Sequence, residues 1–136
     1  MHNPSKLPPA RAALPLTAAE LAAMTDTPAP MQPHERAALD RLIAIAQGDT
    51  GQARRVADFL LSWWNAQSCG AFDPTSAWGL DLPIAQDVAT VFGLIVRSNK
   101  YPDGHDPAYE PVFRALVRAW RPDNAGVQPL NAAREI

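Results

Sequence analysis

Prolines set the strongest constraint on this chain, because six of them fall within the first 32 residues. Each proline fixes the backbone angle φ and removes a main-chain hydrogen-bond donor, so no long helix or strand can run through that stretch. Residues 1–32 are therefore predicted to form a proline-rich, largely flexible arm. Within the arm, Thr17 and Glu20 have the spacing of a capping box and predict a short helix over 17–24. A helix that short is unstable alone in water, so it either stays flexible or docks on a surface.

After the arm, apolar residues recur at the spacing of helix faces, and prolines mark several helix starts. The pattern predicts four main helices, over about 33–48, 50–66, 83–98 and 111–121. The third helix is the most apolar, and it is expected to be the central one. Before the fourth helix we expect only a short turn at 107–109, because a helix starting there would contain Pro111.

No segment shows the alternation of a β-strand, and no repeat is visible. The predicted fold is therefore all-α, a compact bundle of four main helices with two long loops. Its helical domain is expected at 33–121, behind the arm and before an irregular C-terminal tail at 122–136.

Charge and composition exclude several classes of protein. The net charge of −2 offers no bulk attraction to nucleic acid or to an anionic membrane. The single cysteine excludes an internal disulfide, and no apolar run is long enough to span a bilayer. Prolines also interrupt any signal-peptide core within the first 30 residues. We therefore expect a cytoplasmic protein that does not bind membranes.

The chemistry-bearing residues form no strong catalytic pattern. His2, His34 and His105 are the only histidines, and none has metal-ligand spacing. His105 lies between two aspartates in a turn and is a weak metal candidate, but a polar turn explains it better. Cys69 with His105 could form a thiolate–imidazole pair, yet a buried, unreactive cysteine is commoner. We therefore predict no cofactor, assign no catalytic residue, and rank a metal- or thiol-dependent enzyme third.

Arginines supply one candidate interaction surface. Arg114, Arg118 and Arg121 are spaced four and three residues apart, so they share one face of the fourth helix. Such a stripe can contact phosphates or an acidic protein, although a solvated helix face has the same spacing.

Aromatic residues in the two long loops supply a second candidate. Phe72, Trp78 and Tyr101 either pack onto the bundle as lids or form a binding patch. Homodimerisation through the wide apolar faces of helices 2 and 3 also stays open.

Several short motifs resemble those of a family of small proteobacterial proteins of unknown function. They are the stretches at 57–66, 70–73, 91–93 and 101–103, and the resemblance covers about residues 34–121. It implies a protein of plasmids or integrated mobile elements, a context in which accessory proteins bind other proteins or inhibit host defences. The leading hypothesis is therefore a non-catalytic protein-interaction module, an accessory, adaptor or inhibitor protein. Nucleic-acid binding through the arginine stripe is the alternative.

Overall fold

A computed structural model describes residues 17–19 and 30–130 of the chain. Over these residues the fold is all-α, with four helices of seven or more residues and no strand. The helices in chain order are α1 (Pro33–Ala46), α2 (Gly51–Cys69), α3 (Leu82–Ser98), the single turn α4 (Pro102–His105) and α5 (Tyr109–Trp120). Two 3-10 segments accompany them, at Pro74–Gly79 and Pro122–Asn124. The predicted all-α bundle is confirmed.

Helix α1 begins where its sequence supplies both a proline and a capping carboxylate. Pro33 takes the first helical position, where a missing N–H costs nothing. Glu35 accepts a hydrogen bond from the Gln32 backbone N–H at 2.8 Å. Its apolar side, with Leu39 and Leu42 fully buried, packs against both α2 and α3.

Helix α2 is the most extensively buried element. Thr50 caps it by accepting a bond from the Ala53 N–H at 3.0 Å. The helix continues to Cys69, beyond the predicted end near residue 66. It does so through a kink at Asn65, whose backbone leaves the helical region. The Asn65 side chain compensates by accepting a bond from the Ser68 N–H and donating one to the Gln128 carbonyl.

Helix α3 lies at an edge of the bundle, so the prediction that it is central is wrong. Its main packing partner is α1, whereas α2 packs against both α1 and α5. Val91 and Leu94 are buried on the inner side of α3, but Phe92 and Val96 are exposed. High apolar content identified a helix with apolar residues on several sides, but it does not determine how many sides other helices cover.

Helix α5 begins at Tyr109, earlier than the predicted start at Pro111. Proline is tolerated there because residue 111 is the third of the helix, where the backbone N–H has no intrahelical acceptor. Just before it, residues Pro102–His105 form the single turn α4.

The described part of the C-terminal tail packs on the domain. Val127 contacts the hydrophobic core, and Pro129 is buried. At the other end of the chain, Ala18 and Ala19 are helical, and residues 20–24 of the predicted short helix lie outside the described residues. In the described part of the chain, no helix is long and apolar enough to cross a membrane.

Candidate functional site

An apolar groove of about 690 Å³ lies between α2 and α3. One wall comes from α2, the other from α3, and the segment 71–77, Tyr101 and Leu130 complete the lining. The lining consists mainly of aromatic and small apolar side chains: Phe59, Trp63 and Ala66 on α2, Ala85, Ala89 and Phe92 on α3, and Ala71, Phe72 and Tyr101 outside them. Its volume lies within the range of sites that bind ligands.

The spacing of residues on each helix explains why the groove exists. On α2, Phe59 and Trp63 are four residues apart and therefore share one face, and Ala66, just past the kink at Asn65, also lines the groove. On α3, the alanines at positions 85 and 89 occupy the corresponding face. Because alanine side chains are short, they leave open the space that larger residues would fill.

Gly70 directs the chain back over one part of the groove. Its φ angle of 97° lies in a region that residues with a Cβ atom rarely adopt. The sharp turn after α2 returns Phe72 to Phe59, and the two rings meet edge to face with centroids 5.3 Å apart. Asp73 then caps the following 3-10 segment by accepting a bond from the Thr75 N–H.

Polar side chains on the α2 wall of the groove already have hydrogen-bond partners. The Ser62 hydroxyl donates to the Phe59 carbonyl at 2.7 Å. The Trp63 indole N–H donates to the Lys100 carbonyl at 3.0 Å. This wall therefore presents mainly apolar surface to whatever enters the groove.

Exposed hydrophobic side chains extend the apolar surface beyond the groove. Trp78 is 86% exposed, Leu82 and Val96 are each 69% exposed, and Phe92 is 57% exposed. Phe92 also lines the groove, and Trp78 follows Ala77, another lining residue. Soluble proteins rarely expose so many large apolar side chains close together, and where they do, the surface is usually an interaction site.

The loop aromatics singled out in the sequence lie in or beside this groove. Phe72 and Tyr101 both line it, although they come from different loops. Trp78 projects into solvent from the 3-10 segment. That these residues bind a partner stays a prediction.

Two of the three arginines in the predicted stripe make contacts within the chain. Arg114 bonds the Val127 carbonyl and the Gln128 side chain, and its guanidinium lies 5.9 Å from the centre of the Trp64 ring. Arg121 bonds the Cys69 carbonyl at 2.9 Å and the Asp58 carboxylate at 2.6 Å. Arg118 is exposed. Arg114 and Arg121 therefore hold the tail and join α2 to the end of α5.

Cys69 and His105 lie in separate surroundings. Burial raises the pKa of the Cys69 thiol, although the nearby Arg121 opposes that effect. His105 shares a hydrogen bond with the Ser98 hydroxyl and packs near the Trp63 ring, and burial is the main cause of its lowered pKa. Both shifts favour the neutral forms. Among the described residues, no group of three or more His, Cys, Asp or Glu is placed to hold a metal ion.

One ion pair that positions α3 was missed in the sequence. The Glu35 side chain is buried, and it receives two hydrogen bonds from Arg97, each 2.7 Å long. The Arg97 hydrogen bond is the largest cause that lowers the pKa of Glu35 to about 2. The pair joins the start of α1 to the end of α3. Its sequence signal was the capping position of Glu35, three residues after Gln32, but that position does not identify a partner 62 residues away.

The groove itself was also missed. A local signal existed, since Ala85, Ala89 and Gly93 recur every four residues on α3. Small residues at that spacing leave room for close helix packing, but they do not show whether a helix of the same chain takes the space.

This small all-α domain belongs to a family of unknown function. The family's model, described as Family of unknown function (DUF7673), matches residues 36–121, which is more than half of the chain. The resemblance to a domain of unknown function, expected over about 34–121, is therefore confirmed. No curated protein and no solved structure matches the chain.

Proposed function

We propose that this chain is a non-catalytic protein-interaction module whose α2–α3 groove binds an apolar helical segment of a partner protein. One observation carries the proposal: the groove is apolar, and the polar side chains on its α2 wall are already bonded to main-chain carbonyls. Burial of apolar surface is then the main source of affinity, at roughly 25 cal/mol per Å².

A helix suits this groove better than an extended peptide. An extended segment brings unpaired backbone N–H and C=O groups, and burying such groups without partners costs free energy. A helix satisfies those groups internally and presents only side chains. Recognition of an amphipathic helix in a hydrophobic groove is a recurring mode of peptide binding.

A protein partner also suits the surroundings of the groove better than a small molecule does. A small apolar molecule would fit the volume, but it would leave exposed side chains outside the groove, such as that of Trp78, in water. A protein segment can cover the groove and these side chains together. Aromatic side chains at such positions often dominate binding energy.

The resemblance and the composition support a proposal for the biological setting. We propose an accessory, adaptor or inhibitor protein of a bacterial mobile element, acting in the cytoplasm. The single cysteine, Cys69, is buried, which suits a reducing compartment.

Nucleic-acid binding through the arginine stripe ranks second. It would depend mainly on Arg118, because Arg114 and Arg121 already bond other parts of the chain. A metal- or thiol-dependent enzyme ranks third, since burial favours neutral Cys69 and neutral His105.

A peptide selection tests the proposal. A random peptide library is displayed and selected on the full-length chain. We expect the recovered peptides to carry apolar residues at positions i, i+3, i+4 and i+7. They should bind the wild type but not an Ala66→Arg variant, which places a charge in the groove. Ala115→Arg is the matched control, because Ala115 is an exposed alanine on α5.

Two results would contradict the proposal. Recovered peptides could show a strand-like alternation or clusters of charge in place of the helical pattern. They could also bind the Ala66→Arg and wild-type proteins equally well, which would place the site elsewhere.

A further inference from the structure

The outward face of α3 carries a second apolar surface, which borders the groove and shares Ala89 with it. It consists of residues spaced by four and three along the helix, all of them exposed. We name these residues the α3 strip: Leu82, Gln86, Ala89, Gly93 and Val96. The spacing is that of a seam along which two helices pack.

Charges on α3 lie away from the strip. Asp87 is the only charged residue between positions 82 and 96, and both of its oxygens bond Arg41 of α1. Two copies of the strip can therefore face each other without opposing like charges, and Gln86 is its only polar side chain.

The ends of α3 carry opposite charges. Asp81 precedes the first turn, whereas Lys100 lies beyond the other end, where Arg97 is already paired with Glu35. Antiparallel pairing of two α3 helices would place the acidic end of each beside the basic end of the other. Parallel pairing would instead bring like charges together, so charge favours the antiparallel arrangement.

The residues of the strip are also complementary in size under a two-fold axis at Ala89. Leu82 then lies opposite Val96 of the second copy, and Gln86 lies near its Gly93. Alanine and glycine let the two helices approach closely near the axis, while larger apolar residues cover the ends. This self-complementarity is what a two-fold interface requires.

The available area is sufficient for a weak dimer. Leu82 and Val96 of the strip are each 69% exposed, and Phe92, beside the strip, is 57% exposed. From the size of such side chains, these three residues offer on the order of 350 Å². A standard interface buries about 800 Å² per partner, so this smaller surface, together with the small strip residues, fits a weak dimer.

We infer that the α3 strip is a two-fold interface between two copies of this chain, with their α3 helices antiparallel. Because Ala89 also lines the groove, a second copy and a bound peptide would compete for this edge of the strip. It assigns a second copy of the chain to the strip.

Sedimentation velocity of the full chain tests the inference. We expect the mass to rise from the 14.7 kDa of one chain toward that of two between about 1 and about 200 μM, the affinity range of a small interface. Ala89→Arg should keep the chain monomeric throughout this range. Ala44→Arg, at an exposed position on α1, should leave dimerisation unchanged. Circular dichroism at the lowest concentration checks that both variants fold.

Cysteine cross-linking locates the axis. Ala89→Cys should form a disulfide-linked dimer under mild oxidation, because residues at a two-fold axis face their own copies. Ala44→Cys should stay monomeric under the same conditions, and the native Cys69 is buried.

Three outcomes would overturn the inference. A dimer that persists in Ala89→Arg would lie on another surface. A monomeric chain whose introduced thiol in Ala89→Cys resists alkylation would have the strip covered by its own residues. A monomeric chain in which Val96→Arg, which lies outside the groove lining, blocks the selected peptides would assign the strip to the groove's partner. Because Ala66→Arg tests peptide binding separately, failure of the dimer and failure of the proposed function are distinguishable.

Discussion

Helices α2 and α3 are both rich in apolar residues, but their apolar side chains are buried to different extents. In α2, large side chains on several faces, such as Leu60, Leu61 and Trp64, are fully buried. In α3, only the inner side is buried, and Phe92 and Val96 are exposed. The difference in burial arises because two helices, α1 and α5, pack against α2, whereas α3 packs mainly against α1.

Apolar residues therefore have two different roles in this fold. Apolar residues on a covered helix stabilise the fold. Apolar residues on an uncovered side contribute little to folding and remain available for binding. The groove and the α3 strip both lie on the less covered side of the molecule.

The largest loss of stability is expected from a substitution in α2. Leu60→Ala should lower the free energy of unfolding by about 3 kcal/mol, because it removes a fully buried side chain and leaves a cavity. Urea denaturation followed by circular dichroism measures the change. A loss below about 1 kcal/mol would mean that α2 is not the centre of the core.

The stability that the ion pair between α1 and α3 contributes should depend on pH. The pKa of Glu35 is about 2 in the folded chain, below its ordinary value of 4.5. A lowered pKa contributes stability that is present above pH 4.5 and is lost as the pH falls toward 2. We expect this contribution to be about 2 kcal/mol, less than the full shift implies, because Arg97 is partly exposed.

Urea denaturation between pH 7 and pH 2 measures this contribution. The loss of stability in acid should be about 2 kcal/mol smaller in Glu35→Gln than in the wild type. Equal losses in the two proteins would mean that the Glu35–Arg97 pair does not stabilise the junction.

Substitutions of the residues that precede α2 and α3 should lower the free energy of unfolding by smaller amounts. Thr50→Ala removes a side-chain cap of α2 and should lower the free energy of unfolding by about 1 kcal/mol. Asp81→Ala should have about half that effect, because the Asp81 side chain makes no capping bond in α3 and instead accepts one from Gln52. Urea denaturation of both variants checks this order, and a larger loss for Asp81→Ala would reverse it.

The smallest loss of stability is expected from a substitution on the exposed side of α3. Val96→Ala should change the free energy of unfolding by less than about 0.5 kcal/mol when measured at low protein concentration. Denaturant titration compares it directly with Leu60→Ala. If the two losses were similar, the contrast between α2 and α3 would be wrong.

Local signals predicted much of the fold. The proline at position 33, the Thr50 cap and the apolar spacing gave the starts of α1 and α2 closely. Local signals failed where a distant contact decided the outcome. The extension of α2 past Asn65 depends on the carbonyl of Gln128, and the edge position of α3 depends on which helices cover it.

The candidate site was predicted only in part. Phe72 and Tyr101 were correctly singled out as loop aromatics, but their convergence on one groove depends on the turn at Gly70 and on the packing of α2 and α3. The arginine spacing placed Arg114 and Arg118 on α5, but Arg121 follows the last residue of that helix and its backbone is not helical. The spacing did not reveal that Arg121 bonds Asp58, 63 residues earlier.

The most direct test of the groove is the affinity of one selected helical peptide for three proteins, measured by isothermal titration calorimetry. We expect Ala66→Arg to weaken binding at least about 100-fold, equivalent to about 2.7 kcal/mol, while Ala115→Arg changes it less than about 3-fold. Equal weakening by both variants would indicate a general effect of charge. Unchanged binding by Ala66→Arg would contradict the claim that the groove between α2 and α3 is the binding site.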